Sequence, residues 1–226
     1  MGKFWGVVFC SIFTFLCLLS IICVMSINVH QLDKSPAFAE SKEALVIDDF
    51  EGDEIINGLG YRANVYVQAP SKVMISHKKD SRDGKPTTVL FLKYEKANEG
   101  GPYGVGGWCG YYTILKNDKD GRYFDGSEYK YISFWLRGEN GSENFNVGLA
   151  DRHWDKIGDS FKSDEMIKYI EGNKMPAAWT YVRVPLEDFF IDQSMLASIS
   201  INFESTCFPE GKGSGAVYID DLMLEK

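Results

Sequence analysis

Two kinds of side chain in this 226-residue chain have the chemistry to recognise something: aromatics set beside planar polar groups, and carboxylates set beside one another. Tyr131, Trp135 and Arg137 alternate along residues 129–137, so in an extended segment they share one face. Asn144 and Asn146 repeat the alternation in the next apolar run, and the expectation is that they lie on the corresponding face of a neighbouring strand. Asp151-Arg152-His153-Trp154-Asp155 gathers the same residue types in a charged segment that reads as an exposed loop. Trp108, Tyr111 and Tyr112 follow a glycine-rich run and can join either cluster. A flat ring suits the C–H face of a pyranose, and Arg, Asn, Asp and His suit its hydroxyls, so these residues predict a sugar-binding surface. The plain alternative for each is burial, because a chain with 14% aromatic residues must place many rings in its core.

The carboxylates sit at two places. One is Val46-Ile47-Asp48-Asp49-Phe50-Glu51-Gly52 and the other is Val217-Tyr218-Ile219-Asp220-Asp221-Leu222-Met223-Leu224. Both are short apolar, β-branched runs interrupted by adjacent acids. Side by side as strands, they would share a core and crowd their carboxylates, which then need a positive charge between them. A hard cation with oxygen ligands, such as Ca²⁺, meets that need. Solvated strand ends are the other outcome, since charged groups are mostly exposed.

Catalysis finds little support. No serine stands in a Gly-x-Ser-x-Gly elbow. A glycosidase needs two carboxylates across a cleft, and no pair is marked by its surroundings. The run Gly100-Gly101-Pro102-Tyr103-Gly104-Val105-Gly106-Gly107 opens no helix and carries no Lys-Ser or Lys-Thr pair, so it is not a phosphate cradle. The chain is therefore expected not to be an enzyme. Its formal charge is -8, and removing Lys3, Lys34 and Asp33 with the first 39 residues takes the remainder to -9, which argues against nucleic acid and anionic membrane as partners.

Lys3, an apolar run over residues 4–27 and Ala37-Phe38-Ala39 before Glu40 are the parts of a secretory signal peptide, assigning 1–39 to a leader and 40–226 to one exported domain. The run is also long enough to span a bilayer, so an uncleaved N-terminal membrane anchor is the competing expectation, and the only membrane attachment expected. Either way the domain belongs outside the cytoplasm: periplasmic, cell-surface or secreted. Three of five cysteines lie in the leader, leaving Cys109 and Cys207. An even pair in an exported domain suggests a disulfide, with two separate buried thiols as the alternative.

The elements that must position these groups are short and extended. Thr88, Leu90, Leu92 and Tyr94 share a face within residues 87–96; Ile132, Phe134 and Leu136 do so within 129–137; Phe145, Val147 and Leu149 do so within 143–151. Residues 80–86 read as a loop, and Ser163 caps the one helix-like piece, 163–170. About ten strands without repeated βα units predict an all-β antiparallel sandwich.

Ile47-Asp48-Asp49-Phe50-Glu51, Tyr131-Ile132-Ser133-Phe134-Trp135-Leu136-Arg137-Gly138, Trp179-Thr180-Tyr181-Val182-Arg183-Val184-Pro185-Leu186-Glu187-Asp188-Phe189 and Tyr218-Ile219-Asp220-Asp221-Leu222 together resemble the galactose-binding-like jelly rolls. Family 11 carbohydrate-binding modules and the complex I intermediate-associated protein family are the nearest groups. The resemblance covers residues 44–226. It implies two antiparallel sheets, a glycan groove on a concave sheet in the sugar-binding members, and often a structural calcium near the joined termini. By position, Asp49, Glu51 and Asp220, with Asp221 after them, are the calcium candidates it implies. It also leaves open a protein-interaction or assembly module on the same fold, because fold alone does not fix function. A small glycan-active enzyme is the third alternative.

Overall fold

The computed structural model describes residues 43–104 and 106–226. The leader, with its cysteines and the signal-or-anchor alternatives, lies outside the described residues. Eleven strands among them form two antiparallel sheets. The first runs in the order β3 (Lys72–Arg82), β4 (Lys85–Lys96), β11 (Gly213–Glu225), β6 (Tyr131–Gly138) and β9 (Thr180–Pro185), with β1 (Ala44–Asp48) also paired to β11. The second runs β2 (Ala63–Val67), β5 (Cys109–Ile114), β10 (Leu196–Phe203), β7 (Asn146–Asp151) and β8 (Phe161–Glu165).

The two acidic segments do meet. β1 pairs with β11 in the register Ala44 to Glu225, Leu45 to Leu224, Val46 to Met223 and Asp48 to Leu222. β4 takes the rest of the same edge, from Gly213 to Ile219. Asp220 and Asp221 therefore sit at the junction where one neighbour of β11 hands over to the other.

Alternation places the core as the sequence predicts. Ile132, Phe134, Leu136, Phe145, Val147 and Leu149 are all fully buried between the sheets. Each contributes about 1.5–3 kcal/mol of apolar burial. Leu90, Leu92 and Tyr94 join them from β4, and Ile199, Ile201 and Phe203 from β10.

Three local expectations are corrected. Residues 80–86 are not a loop. β3 and β4 run on to a two-residue turn at Asp83-Gly84, both with positive φ (52° and 73°), the Asp-Gly combination that twisted hairpins favour. Residues 163–170 are not a helix. Ser163 lies in β8, and only Met166–Tyr169 turns as a short 3-10 segment. The single α-helix among the described residues, α1 (Arg152–Ile157), lies instead in the expected loop. Asp151 caps it, accepting from the backbone N–H of His153 and Trp154, and left-handed Gly158 ends it.

Candidate functional site

β6 and β7 follow one another in sequence but belong to different sheets. The expected cluster of Tyr131, Trp135 and Arg137 with Asn144 and Asn146 is thereby divided. The first three face outward from the first sheet, where they engage one another's neighbours. Arg137 stacks 3.7 Å from the centroid of Tyr218 and pairs with Asp80. Burial opposes it, but the Arg137 hydrogen bond still holds the Asp80 carboxyl below its ordinary value. Trp135 lies under the Arg82 guanidinium at 5.0 Å and 5.2 Å from Tyr181. Tyr131 lies 5.7 Å from the Arg183 guanidinium, which in turn donates to Glu225 at 2.7 Å. This face is a self-paired belt of cations, rings and carboxylates.

Tyr111 is corrected to a core residue, 2% exposed. Asn144 is also corrected. It is buried, its amide donates to Glu165 and to the Cys207 carbonyl, and its oxygen accepts from the Phe145 N–H, so every polar atom is committed. The expected bridge is corrected as well. Cys109 and Cys207 are separate buried thiols, their pKa values pushed up by burial to about 12 and about 11.

Asn146 stays a surface-side residue of the second sheet, and the register builds a site around it. Tyr66 of β2 pairs with Gly110 of β5, Gly110 with Asn202 of β10, and Asn202 with Asn146 of β7. The next row is Asn64, Tyr112, Ser200, Gly148 and Lys162. Their strand neighbours Tyr111, Ile201, Phe203, Val147 and Leu149 point into the core, so both rows face outward. Glycine and serine occupy the middle, and the space above the glycines is taken by neighbouring side chains. Above Gly148 converge Ser160 Oγ, Ser200 Oγ and Asn202 Nδ2, at 2.3, 2.3 and 2.8 Å from where a Cβ would stand. The two hydroxyls lie 3.3 Å apart. Tyr66 Oη donates to Asn202 Oδ1 at 2.5 Å, and Asn202 Nδ2 donates to the Asn146 carbonyl at 3.2 Å. Asn146 is 5% exposed, yet its Oδ1 has no partner among the described residues. A buried, unpaired oxygen costs about 1–3 kcal/mol and calls for an explanation.

The rims carry the rest. Trp108, 38% exposed, stands next to β5 in alternation with Gly110, and its carbonyl accepts from the Gln68 N–H at 2.8 Å. Tyr112 lies under the Arg62 guanidinium at 5.8 Å. At the other end of β5, Asp155 of α1 accepts from Lys116 Nζ at 2.7 Å and Tyr123 Oη at 2.9 Å. That hydrogen bond pushes the Lys116 pKa up. Trp154 packs edge-on to Phe161 at 6.2 Å, while Arg152 and His153 are exposed. Of the residues the sequence singles out, Trp108, Tyr112 and Asn146 lie on this face, while Arg152, His153 and Trp154 lie on α1 after β7. Tyr66, Ser160, Ser200 and Asn202 join them without having stood out in the sequence, where alternation within strands is their one signal.

At the acidic junction the carboxylates are held by protein donors. Glu51 accepts from both the N–H and the hydroxyl of Thr88, each at 2.6 Å, and those bonds hold its carboxyl below the ordinary value. Thr87 Oγ1 bridges Glu51 and Asp220 at 3.3 and 3.0 Å. Arg82 pairs with Asp220 and, at 2.5 Å, with Asp221. Asp49 is exposed and accepts only from the Glu51 N–H, at 3.1 Å. The four carboxylates do not converge on one point, and the positive charge between Asp220 and Asp221 is a guanidinium. This donor set does not fit a shared calcium as it stands.

The model for the family described as carbohydrate binding domain 30 matches residues 56–226. No curated protein matches the chain. Among solved structures, a family 11 carbohydrate-binding module from Clostridium thermocellum, in complex with a β-1,3-1,4-mixed-linked tetrasaccharide, superposes with TM-score 0.55 at 18% identity, over 81% of this chain and 95% of that one. A family 30 carbohydrate-binding module of a cellulosomal cellulase from Clostridium thermocellum superposes with TM-score 0.52 at 16% identity, over 80% and 98%.

Proposed function

Because the chain belongs to the carbohydrate binding domain 30 family, we propose that it is a non-catalytic, exported module whose second sheet binds an uncharged polysaccharide on its outward face. The observation that carries this assignment is an outward face of neutral amides and hydroxyls, Asn146, Asn202, Ser160 and Ser200, bordered by Trp108 and Tyr112. Such a face offers donors and acceptors to sugar hydroxyls, and the charge in its rows, Lys162, is paired with Asp159 at 2.6 Å. Trp108 and Tyr112 on the rims supply apolar surface for the ring faces. The formal charge of -8 also disfavours acidic glycans through long-range repulsion.

The first ligand to test is a mixed-linked β-glucan, because the family 11 structure named above holds a β-1,3-1,4-linked tetrasaccharide. Titration calorimetry of the purified chain with soluble β-glucan oligosaccharides, and with an anionic polysaccharide beside them, tests the assignment. Heat of binding with the neutral ligands alone, and no release of reducing sugar, is expected. Binding of the anionic polymer alone, or turnover, contradicts it.

A further inference from the structure

We propose that Tyr66 is the aromatic platform of this glycan site, laid flat across β5 by the absence of a side chain at Gly110 and pinned at its far end by Asn202. The proposal rests on the glycan assignment above and names the side chain on which a sugar ring sits.

The geometry begins with the register. Tyr66 belongs to β2, an edge strand, and Asn202 belongs to β10, two strands away with β5 between them. Neighbouring strands stand about 4.8 Å apart, so a side chain that starts on β2 and ends on β10 must cross β5 along the sheet rather than rise from it. Tyr66 does this, because its Oη reaches Asn202 Oδ1 at 2.5 Å. Gly110 makes the crossing possible. A Cβ there would stand 2.4 Å from Tyr66 Oη and 2.6 Å from Cζ, so the end of the ring passes over the glycine. A ring in this posture turns one face to the backbone, and the residue as a whole stays partly exposed.

Its flanks match that use. Trp108 and Tyr112 stand two residues to either side of Gly110 along β5, about 7 Å away in each direction, and they border the ring. Beyond its hydroxyl lie the Asn202 and Asn146 amides. Burial pushes the Tyr66 phenol pKa up, so the hydroxyl stays a donor and the anchor holds across the neutral range. An aromatic fixed before the ligand arrives loses less rotamer freedom on binding. A flat platform of this kind favours a pyranose whose hydroxyls are equatorial and whose axial C–H bonds meet the ring, as in β-linked glucans.

The test compares Tyr66→Ala and Tyr66→Phe with the unsubstituted chain, using soluble mixed-linked β-glucan in affinity electrophoresis and near-ultraviolet circular dichroism as the check on folding. Loss of affinity by tenfold or more in Tyr66→Ala, with less than about threefold loss in Tyr66→Phe, is the expected result, since phenylalanine keeps the ring and loses only the anchor. An affinity for Tyr66→Ala within twofold of the unsubstituted chain overturns the platform while leaving the glycan assignment standing. Should Tyr66→Ala fail to fold, the Tyr66 ring protons of the unsubstituted chain decide: an upfield-shifted sugar resonance with a cross-peak to that ring supports the proposal, and glycan binding without it overturns it. Failure of the unsubstituted chain to bind any neutral glycan removes the assignment and the platform together.

Discussion

The Arg82 guanidinium lies 5.0 Å over the ring of Trp135 while its two terminal nitrogens engage Asp220 and Asp221. Asp221 can face the same guanidinium because the β11 backbone turns left-handed there, with φ of 47°, where the register against β6 shifts between Asp220 and Met223. The hairpin at Asp83-Gly84 delivers Arg82 to this spot. A cation, a ring and two carboxylates therefore close the junction of first and last strands. Removing the cation leaves Asp220, whose side chain is 1% exposed, buried without a countercharge and held only by Thr87 and the Asp221 N–H. Arg82→Ala is expected to destabilise the fold by about 3–5 kcal/mol, and Asp221→Ala by about 1 kcal/mol because that carboxylate is partly solvated. Urea unfolding of both variants checks the ranking.

A resident guanidinium also sets the response to chelator. Where Arg82 supplies the positive charge, EDTA leaves the melting temperature of the chain unchanged, and millimolar Ca²⁺ adds nothing. A fall in Tm on chelation that Ca²⁺ restores contradicts this and returns the junction carboxylates to a metal site. Differential scanning calorimetry in the two buffers reads the outcome.

Asp48 gives the junction a pH dependence. It is 3% exposed, and burial, with help from the charge on Asp49, raises its pKa to about 6 despite the N–H of Phe50 that it accepts. The folded state therefore holds the proton more tightly than the unfolded chain. The contribution of Asp48 is full below about pH 4 and is lost as pH rises through 6. By linkage the loss is on the order of 3 kcal/mol. Asp48→Asn keeps the oxygen that accepts from Phe50 and removes the ionisation. It is expected to be more stable than the unsubstituted chain at pH 7.5 and to show no advantage at pH 4, as chemical denaturation at the two pH values will report.

Asp151 holds α1 in place from one end. It accepts from the N–H groups of His153 and Trp154 and, through its other oxygen, from Asp192 at 2.8 Å. Asp151→Ala is expected to cost about 1–2 kcal/mol and to weaken glycan binding by severalfold, because Trp154 and Asp155 ride on that helix. Calorimetric titration alongside thermal melting separates the two effects.

The fold was legible where side chains alternate. Ile132, Phe134, Leu136, Phe145, Val147 and Leu149 announce two core-facing strands, and the acidic segments around Asp48 and Asp220 announce that the ends meet. The site was legible only in part. Alternation tells which face a residue takes but not which sheet its strand joins, so Tyr131, Trp135 and Arg137 were grouped with Asn146 although the crossover from β6 to β7 separates them. Tyr111 and Tyr112 are adjacent and look alike, yet a strand sends one to the core and the other to the surface. Tyr66, Ser160, Ser200 and Asn202 come from strands far apart in sequence, and only the register of β2, β5, β10 and β7 assembles them. The charge balance at the termini was foreseen as a need. Its supplier, Arg82, was hidden because residues 80–86 read as loop rather than as two strands of one hairpin.

The central claim is that a neutral glycan lies on the second sheet and not on the first. Backbone amide shifts of the isotopically labelled chain, followed through a titration with a mixed-linked β-glucan oligosaccharide, test it most directly. The account predicts saturable changes at Asn64, Tyr66, Gly110, Tyr112, Asn146, Gly148, Ser200 and Asn202, with Tyr131, Trp135, Arg137 and Tyr218 unmoved. Changes centred on Tyr131, Trp135 and Arg137, or no change anywhere at saturating ligand, would contradict it.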